Sequence, residues 1–212
     1  MDDALRIREF WFGKSLTGPL PGLASQAATL KSRVDLWFES NPQALAEQDE
    51  ALRSQFEPLL ERATRGELDG WADSPRRRLS LIILLDPFPR QMYRGTAQAF
   101  AYDPAALALT LSGMQLAADG ALNLVERLFF YMPLQHAEAP EVQDESVSAF
   151  RRLVAESPAE LRSTFEEALE YAEEHRAVIR QFGRFPHRNR ILGREDTPDE
   201  VIYLTKAGET LR

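Results

Sequence analysis

Apolar residues recur at intervals of three and four positions through most of the 212-residue chain, which is the spacing of a helix with one buried face. This period predicts a series of helices joined by short polar segments. The predicted helices cover residues 3–12, 25–39, 42–65, 75–85, 104–118, 122–131, 141–155, 158–182 and 198–206. No segment alternates apolar and polar residues between hairpin turns, as half-buried strands do. The pattern therefore predicts an all-α fold.

Five of the predicted helices begin with a capping residue followed by proline. A capping side chain accepts hydrogen bonds from the N–H groups of the first turn, and proline fits the first helical position because it has no N–H to satisfy. Two of these starts also have a glutamate three residues after the cap, Glu160 and Glu200, which predicts a capping box. The five pairs are Asn41-Pro42, Ser74-Pro75, Asp103-Pro104, Ser157-Pro158 and Thr197-Pro198.

Other prolines predict interruptions. Pro58 is expected to kink or split the helix over residues 42–65, because proline inside a helix removes a hydrogen bond and crowds the preceding turn. Pro87 and Pro89 predict a turn directly after residue 85, and Pro133 predicts a helix break. These positions divide the chain into the helices given above.

Short connections between consecutive helices favour antiparallel neighbours, so we expect helical hairpins stacked into a superhelix. A sequence repeat of about 34 residues, which tetratricopeptide arrays show, is not evident. No linker-like segment divides the chain, and residues 1–212 are predicted to form a single all-helical domain.

Composition and charge exclude several classes of protein. The chain has no cysteine, which rules out disulfides, thiolate nucleophiles and cysteine zinc sites. A net charge of −8 argues against a general nucleic-acid binder, because such proteins carry a basic surface. The N-terminus lacks the basic start of a secretory signal, and the longest apolar run, residues 79–85, is far shorter than the ~20 residues that span a bilayer. We expect a soluble cytoplasmic protein that binds neither nucleic acid nor membrane.

Three long blocks of the chain, with the Trp-Phe-Gly sequence at residues 11–13, resemble the bacterial domain-of-unknown-function 924 family. The blocks are LIILLDPFPRQMYRGTAQAFAYD (81–103), RLFFYMPLQHAEAPEVQ (127–143) and HRAVIRQFGRFPHRNRILGREDTPDE (175–200). The resemblance implies a tetratricopeptide-like fold, in which antiparallel helix pairs form a right-handed superhelix, and it implies no established activity. The chain departs from the family pattern at Pro87, where glutamine is usual, and at Ala137, where serine is usual.

The first block has charged and phenolic groups directly after a buried helix. Asp86, Arg90, Tyr93 and Arg94 lie within nine residues. Two guanidinium groups and a tyrosine could hold a phosphate or carboxylate, because guanidinium matches those oxygens with two parallel hydrogen bonds. The alternative is an Asp–Arg pair that ties the loop to the helix end.

The second block places a histidine near a carboxylate and a tyrosine. His136 could act as a general base, and Glu138 and Tyr131 are candidate ligand-binding residues beside it. A histidine and one carboxylate do not make a metal site, which needs a third convergent ligand, and we predict no metal. Capping of a helix end is the structural alternative for His136.

The third block contains six arginines and two histidines between residues 175 and 194 with no carboxylate. Arginines that become partly buried must find partners elsewhere, since an unpaired buried charge is costly. Asp86, Glu138 and Glu174 are candidate partners, and a bound anion would serve equally well. The candidate ligand-binding residues of this block are His175, Arg184, Arg188 and Asn189, and His187 is a second candidate catalytic residue.

Four functional hypotheses follow from these blocks. The leading one is a polar, net-positive pocket for a small anionic molecule, formed by convergence of the three blocks. The second is a hydrolase or transferase that uses His136 or His187 as general acid and base. The third is a peptide-binding helical scaffold, and the fourth is that the polar blocks only tie helices together. The sequence indicates no particular cofactor and no oligomeric state.

Overall fold

The computed structural model describes residues 2–17, 22–38 and 42–210. These residues form α-helices and short 3-10 segments, and none of them lies in a β-strand, so the all-α prediction is confirmed. The helices are α1 (Asp3–Phe12), α2 (Leu23–Phe38), α3 (Pro42–Thr64), α4 (Pro75–Leu85), α5 (Pro87–Met92), α6 (Asp103–Gln115), α7 (Leu124–His136), α8 (Pro140–Glu156), α9 (Ala159–Phe182), α10 (Asn189–Leu192) and α11 (Pro198–Thr210). The 3-10 segments are Asp69–Asp73, Ala97–Phe100, Ala118–Ala121 and Pro186–Arg188.

Helix α4 lies at the centre of the fold and packs against α1, α3, α5, α6 and α7. Every residue from Leu79 to Leu85 is buried, which requires neighbours on all sides of the helix. The one polar side chain in this run is satisfied, because Ser80 donates to the Ala4 carbonyl at 2.7 Å and accepts from Arg8 at 3.2 Å. The buried run and the contacts of Ser80 therefore hold α4 in the middle of the protein.

Helices α7, α8 and α9 pack in chain order, α7 on α8 and α8 on α9. Connections of two and three residues join them, as expected for antiparallel helical hairpins. These contacts agree with the predicted stacking of consecutive helices. The tetratricopeptide-like superhelix and its right-handed sense stay predictions.

One predicted capping box forms and another does not. The Thr197 hydroxyl accepts from the Glu200 N–H at 3.3 Å, and the Glu200 carboxylate accepts from the Thr197 N–H at 2.7 Å. The box predicted at Ser157 and Glu160 is wrong, because the Ser157 hydroxyl instead donates to the Val154 carbonyl at 2.7 Å. The predicted cap at Asn41 lies outside the described residues.

The expected break at Pro133 is wrong, and the expected split of α3 at Pro58 does not occur. Helix α3 continues through Pro58, and α7 continues through Pro133 to its end at His136. That end is held by Gln143, which donates to the carbonyls of Leu134, Gln135 and Ala137 at 2.8–3.2 Å. The turn expected directly after residue 85 is present at Asp86, and Pro87 then begins α5, since proline is tolerated in the first turn of a helix.

Candidate functional site

The ends of α4 and α7 bring an aspartate and a histidine together. Asp86 follows the last residue of α4, and His136 is the last residue of α7. The Nδ1 atom of His136 lies 2.7 Å from Oδ2 of Asp86, and the Asp86 side chain is fully buried. The contact between α4 and α7 therefore places the imidazole against a buried carboxylate.

The other oxygen of Asp86 accepts from Arg90. The Arg90 Nε donates to Oδ1 of Asp86 at 3.1 Å, from one helical turn further along the chain. Burial alone would raise the pKa of Asp86, but the charges and hydrogen bonds of His136 and Arg90 outweigh it and lower the pKa to about 2. Asp86 is therefore ionised at neutral pH.

An ionised Asp86 determines the tautomer of His136. A carboxylate only accepts hydrogen bonds, so Nδ1 of His136 must carry the proton it shares with Asp86. Burial lowers the pKa of His136, and the charge of Arg90 lowers it further, against the opposing effect of Asp86. The neutral imidazole then has its lone pair on Nε2, which forms no hydrogen bond with any residue that the structure describes.

A second aspartate and a second arginine extend this network. Arg90 donates to both oxygens of Asp103 at 2.9 Å, and Arg188 donates to Asp103 at 3.3 Å and to the His136 carbonyl at 3.1 Å. The Arg188 guanidinium lies 4.7 Å from the ring centre of Phe100 and 4.6 Å from that of Phe185, which is cation–π distance. Arg188 thereby connects the third block to the end of α7.

His136 and Arg90 face a recess of about 200 Å³. One wall is aromatic, and its rings pack edge to face, with Trp11 5.4 Å and Trp37 4.5 Å from Phe129. The indole Nε1 of Trp11 is buried and has no acceptor among the described residues. The recess is lined by Trp11, Trp37, Leu45, Asp86, Pro87, Arg90, Gln91, Arg94, Phe129, Met132 and His136.

Arg94 is the most exposed cation of the recess. Its side chain is 47% exposed, and it forms two hydrogen bonds with Asp49, at 3.0 and 3.1 Å. Arg90, in contrast, is 19% exposed and holds two carboxylates. The two arginines predicted from the first block therefore differ in how easily they could exchange partners.

Both tyrosines predicted as ligand-binding residues form hydrogen bonds with carboxylates that do not line the recess. The Tyr93 hydroxyl donates to Glu57 at 2.7 Å. The Tyr131 hydroxyl donates to Asp119 at 2.5 Å, and Asp119 lines a separate open groove beside α6 and α8. Neither tyrosine lines the recess of His136.

Most of the third block ties chain segments together. Glu138 accepts from the Phe185 N–H at 2.8 Å and pairs with Arg194 at 2.7 Å, which confirms it as a partner for an arginine of that block. Arg184 pairs with Glu200 at 2.7 Å, and Asn189 donates to Asp196 at 2.7 Å. These contacts correspond to the structural alternative considered from the sequence.

The two remaining histidines flank one aromatic ring. The rings of His175 and His187 lie 5.3 and 5.6 Å from that of Phe185. Nδ1 of His175 lies 2.6 Å from the Tyr171 carbonyl. Although residue 187 as a whole is exposed, partial burial of its ring lowers the pKa of His187, and the neighbouring charge of Arg188 lowers it further. Neither histidine lines the recess.

The structure thus joins the first two blocks directly at Asp86, Arg90 and His136, and reaches the third through Arg188. Sequence reasoning predicts Asp103 only as a helix cap, and it does not identify Trp11 and Trp37 as residues that line the recess. No local signal distinguishes these roles, since each depends on contacts with distant segments.

Metal-binding clusters and membrane-spanning helices are both absent from the described ranges. No three histidine, aspartate or glutamate side chains there converge as a metal ion would need. The same ranges contain no helix that combines the length and the apolar character needed to cross a bilayer.

The chain is similar to other proteins over nearly its whole length. The structure of a protein of unknown function, ATU0120 from Agrobacterium tumefaciens, is 36% identical and superposes with a TM-score of 0.71, covering 87% of this chain and 99% of that one. None of the curated proteins matches this chain. Residues 7–208 match the family model described as a bacterial protein of unknown function, DUF924. The resemblance found in the three sequence blocks is therefore confirmed, and the chain belongs to the DUF924 family.

Proposed function

We propose that this protein binds a small molecule with a carboxylate or phosphate group in the recess beside His136. The observation that carries the proposal is the recess itself, which places the 47% exposed side chain of Arg94 near His136 and an aromatic wall.

Arg94 is the group that we expect to bind the anion. Its side chain is 47% exposed, whereas that of its partner Asp49 is 14% exposed. Asp49 bonds Nε and Nη2, so Nη1 is the nitrogen to which a carboxylate or phosphate could bind without displacing Asp49. Arg90 is already bound to Asp86 and Asp103, and we assign it the role of holding the recess in place.

The charge and size of the recess limit the ligand. Its lining has two arginines and one carboxylate, a net charge of +1 when His136 is neutral. A volume of about 200 Å³ lies below the ~300–1,000 Å³ of ordinary ligand pockets, so a small metabolite fits better than a nucleotide or a peptide. The rings of Trp11, Trp37 and Phe129 would contact the apolar part of such a ligand.

Thermal-shift and calorimetric titration with inorganic phosphate, acetate, lactate and acetyl phosphate tests the proposal. We expect at least one of these anions to raise Tm, and Arg94→Ala to weaken its binding roughly tenfold or more, the loss of charge-assisted bonds worth about 1.5–3 kcal/mol. Arg65→Ala is the matched control, since Arg65 is an exposed arginine paired with Glu67 away from the recess. Equal binding by the two variants, or no stabilisation by any of the four anions, would contradict the proposal.

A further inference from the structure

The recess is lined by His136 and Arg94, and their arrangement suits a reaction in addition to binding. We propose that the protein hydrolyses a small acyl compound that carries an anionic group in this recess, with His136 as the general base and Arg94 as the cation that binds the anionic group. This inference rests on the proposed ligand site and adds a reaction to it. It requires no group beyond water, the substrate and the residues described above.

The geometry of His136 is that of an oriented base. Asp86 is fully buried and fixes Nδ1–H of His136 at 2.7 Å, which leaves the lone pair of Nε2 on the side of the ring away from the carboxylate. A buried carboxylate in this position orients the imidazole and stabilises the imidazolium that forms when Nε2 takes a proton. Asp86 is thus a positioning residue, and His136 is the group that would contact the reacting water.

The position of Asp86 is itself restrained. Arg90 holds its second oxygen at 3.1 Å and is held in turn by Asp103, while Arg188 bonds both Asp103 and the carbonyl of His136. The network therefore fixes the base through its side chain and through its backbone. If the Asp86–His136 bond only joined α4 to α7, the imidazole would not need to line a recess or to keep an Nε2 that forms no hydrogen bond with the described residues.

The reaction is balanced without an added reactant. Nε2 of His136 removes a proton from water as the water oxygen attacks the carbonyl carbon, and the π electrons of the carbonyl move to its oxygen. The resulting oxyanion forms in a recess whose lining includes the positive charge of Arg94. When the oxyanion collapses, the acyl C–O bond breaks and the proton on Nε2 passes to the leaving oxygen.

Arg94 would select the substrate. An acyl phosphate or a carboxylate-bearing ester would place its anionic group on the Arg94 guanidinium and its acyl carbon toward His136. A neutral ester of the same size would lack that contact. The proposal therefore predicts hydrolysis of acetyl phosphate and much slower hydrolysis of ethyl acetate.

The test measures acetate release from acetyl phosphate in ¹⁸O-labelled water, because attack at the acyl carbon places the label in acetate and attack at phosphorus places it in phosphate. We expect labelled acetate, and a decrease in kcat of about 10²–10⁴-fold in His136→Gln. His187→Gln is the matched control, a histidine outside the recess, and should retain full activity. Arg94→Ala should raise KM for acetyl phosphate, because it removes the guanidinium that would bind the phosphate group.

The outcomes separate the reaction from the binding site. If phosphate or acetyl phosphate stabilises the wild-type protein but no labelled acetate forms, the catalytic inference is wrong and the ligand site stands. If none of the anions binds and no hydrolysis occurs, both fail. Hydrolysis that is unchanged in a folded His136→Gln protein, or label that appears only in phosphate, also overturns the catalytic inference. If His136→Gln does not fold, Arg94→Ala decides, and an unchanged KM for acetyl phosphate in that variant overturns the catalytic inference.

Discussion

Asp86 and His136 are 50 residues apart in the chain, and their side chains form a 2.7 Å hydrogen bond inside the protein. The bond joins the C-terminal ends of α4 and α7, the central helix and one of the helices packed against it. The imidazole of His136 also lines a recess with an aromatic wall. The same contact is therefore part of the core and part of the candidate site, and its loss should affect both stability and chemistry.

Asp86→Asn should destabilise the protein strongly. The substitution removes a fully buried charge that bonds both His136 and Arg90, and breaking a buried pair in this way costs about 3–5 kcal/mol. Denaturant unfolding measures the change. Asp49→Asn is the control, because Asp49 pairs with the half-exposed Arg94 and its loss should cost about 1 kcal/mol or less. Similar losses in the two variants would mean that the buried network contributes little.

Arg188→Ala should also lower the free energy of unfolding, by about 3 kcal/mol. The guanidinium is 7% exposed, lies against two aromatic rings and bonds Asp103 and the end of α7. Arg188→Lys should not restore stability, since an ammonium cannot stack on the rings and bond both acceptors as a planar guanidinium does. Arg180→Ala, which loses an exposed pair with Asp144, should change stability by less than about 1 kcal/mol and serves as the control.

The Tm should fall as the pH drops below neutrality. Burial lowers the pKa of all three histidines, so each binds its proton more tightly in the unfolded chain than in the folded one. Their contribution to stability is fully present above an unfolded pKa of about 6.5 and decreases as the pH falls from there toward the lowered folded values. Asp86, with its pKa lowered to about 2, adds a second loss below about pH 4.

Thermal unfolding followed by circular dichroism between pH 8 and 3, at constant ionic strength, measures this dependence. His187→Gln should flatten the decrease between pH 6.5 and 4, because it removes one of the three titrating imidazoles, and leave the steeper loss below pH 4 in place. A constant Tm from pH 7 to pH 5 in the wild-type protein would be inconsistent with the lowered histidine pKa values.

Gly113→Ala should destabilise the contact between α6 and α7. A Cβ at Gly113 would lie 2.6 Å from the Phe130 ring and 2.8 Å from the Arg78 side chain, which forces both to move. Overpacking of this kind costs about 1–3 kcal/mol, more than the roughly 0.5–1 kcal/mol that alanine gains over glycine within a helix. At Gly120 an added Cβ meets no atom within 4 Å, so Gly120→Ala is the control and should be close to neutral. Increased stability of the Gly113 variant would contradict the packing described here.

The sequence predicted the helices well because their signals are local. The spacing of apolar residues identified α1 to α4, α6 to α9 and α11, and the start of α11 at Pro198 carries the predicted capping box. The local signals failed where a distant residue decides the outcome. Pro133 does not end α7, and Asp103 accepts hydrogen bonds from Arg90 instead of capping α6.

By itself, the sequence determined an all-helical chain, its family, and the three blocks in which the polar groups are concentrated. Only the tertiary structure decided which carboxylate pairs with each arginine and that Asp86 orients His136. It also decided that Tyr131 and Arg184 form their hydrogen bonds outside the recess. The physical reason lies in the range of the interactions. Helix propensity and capping act over a few neighbouring residues, whereas a buried charge takes the partner that helix packing brings within about 3 Å, and here the main partners are separated by 13 to 85 positions.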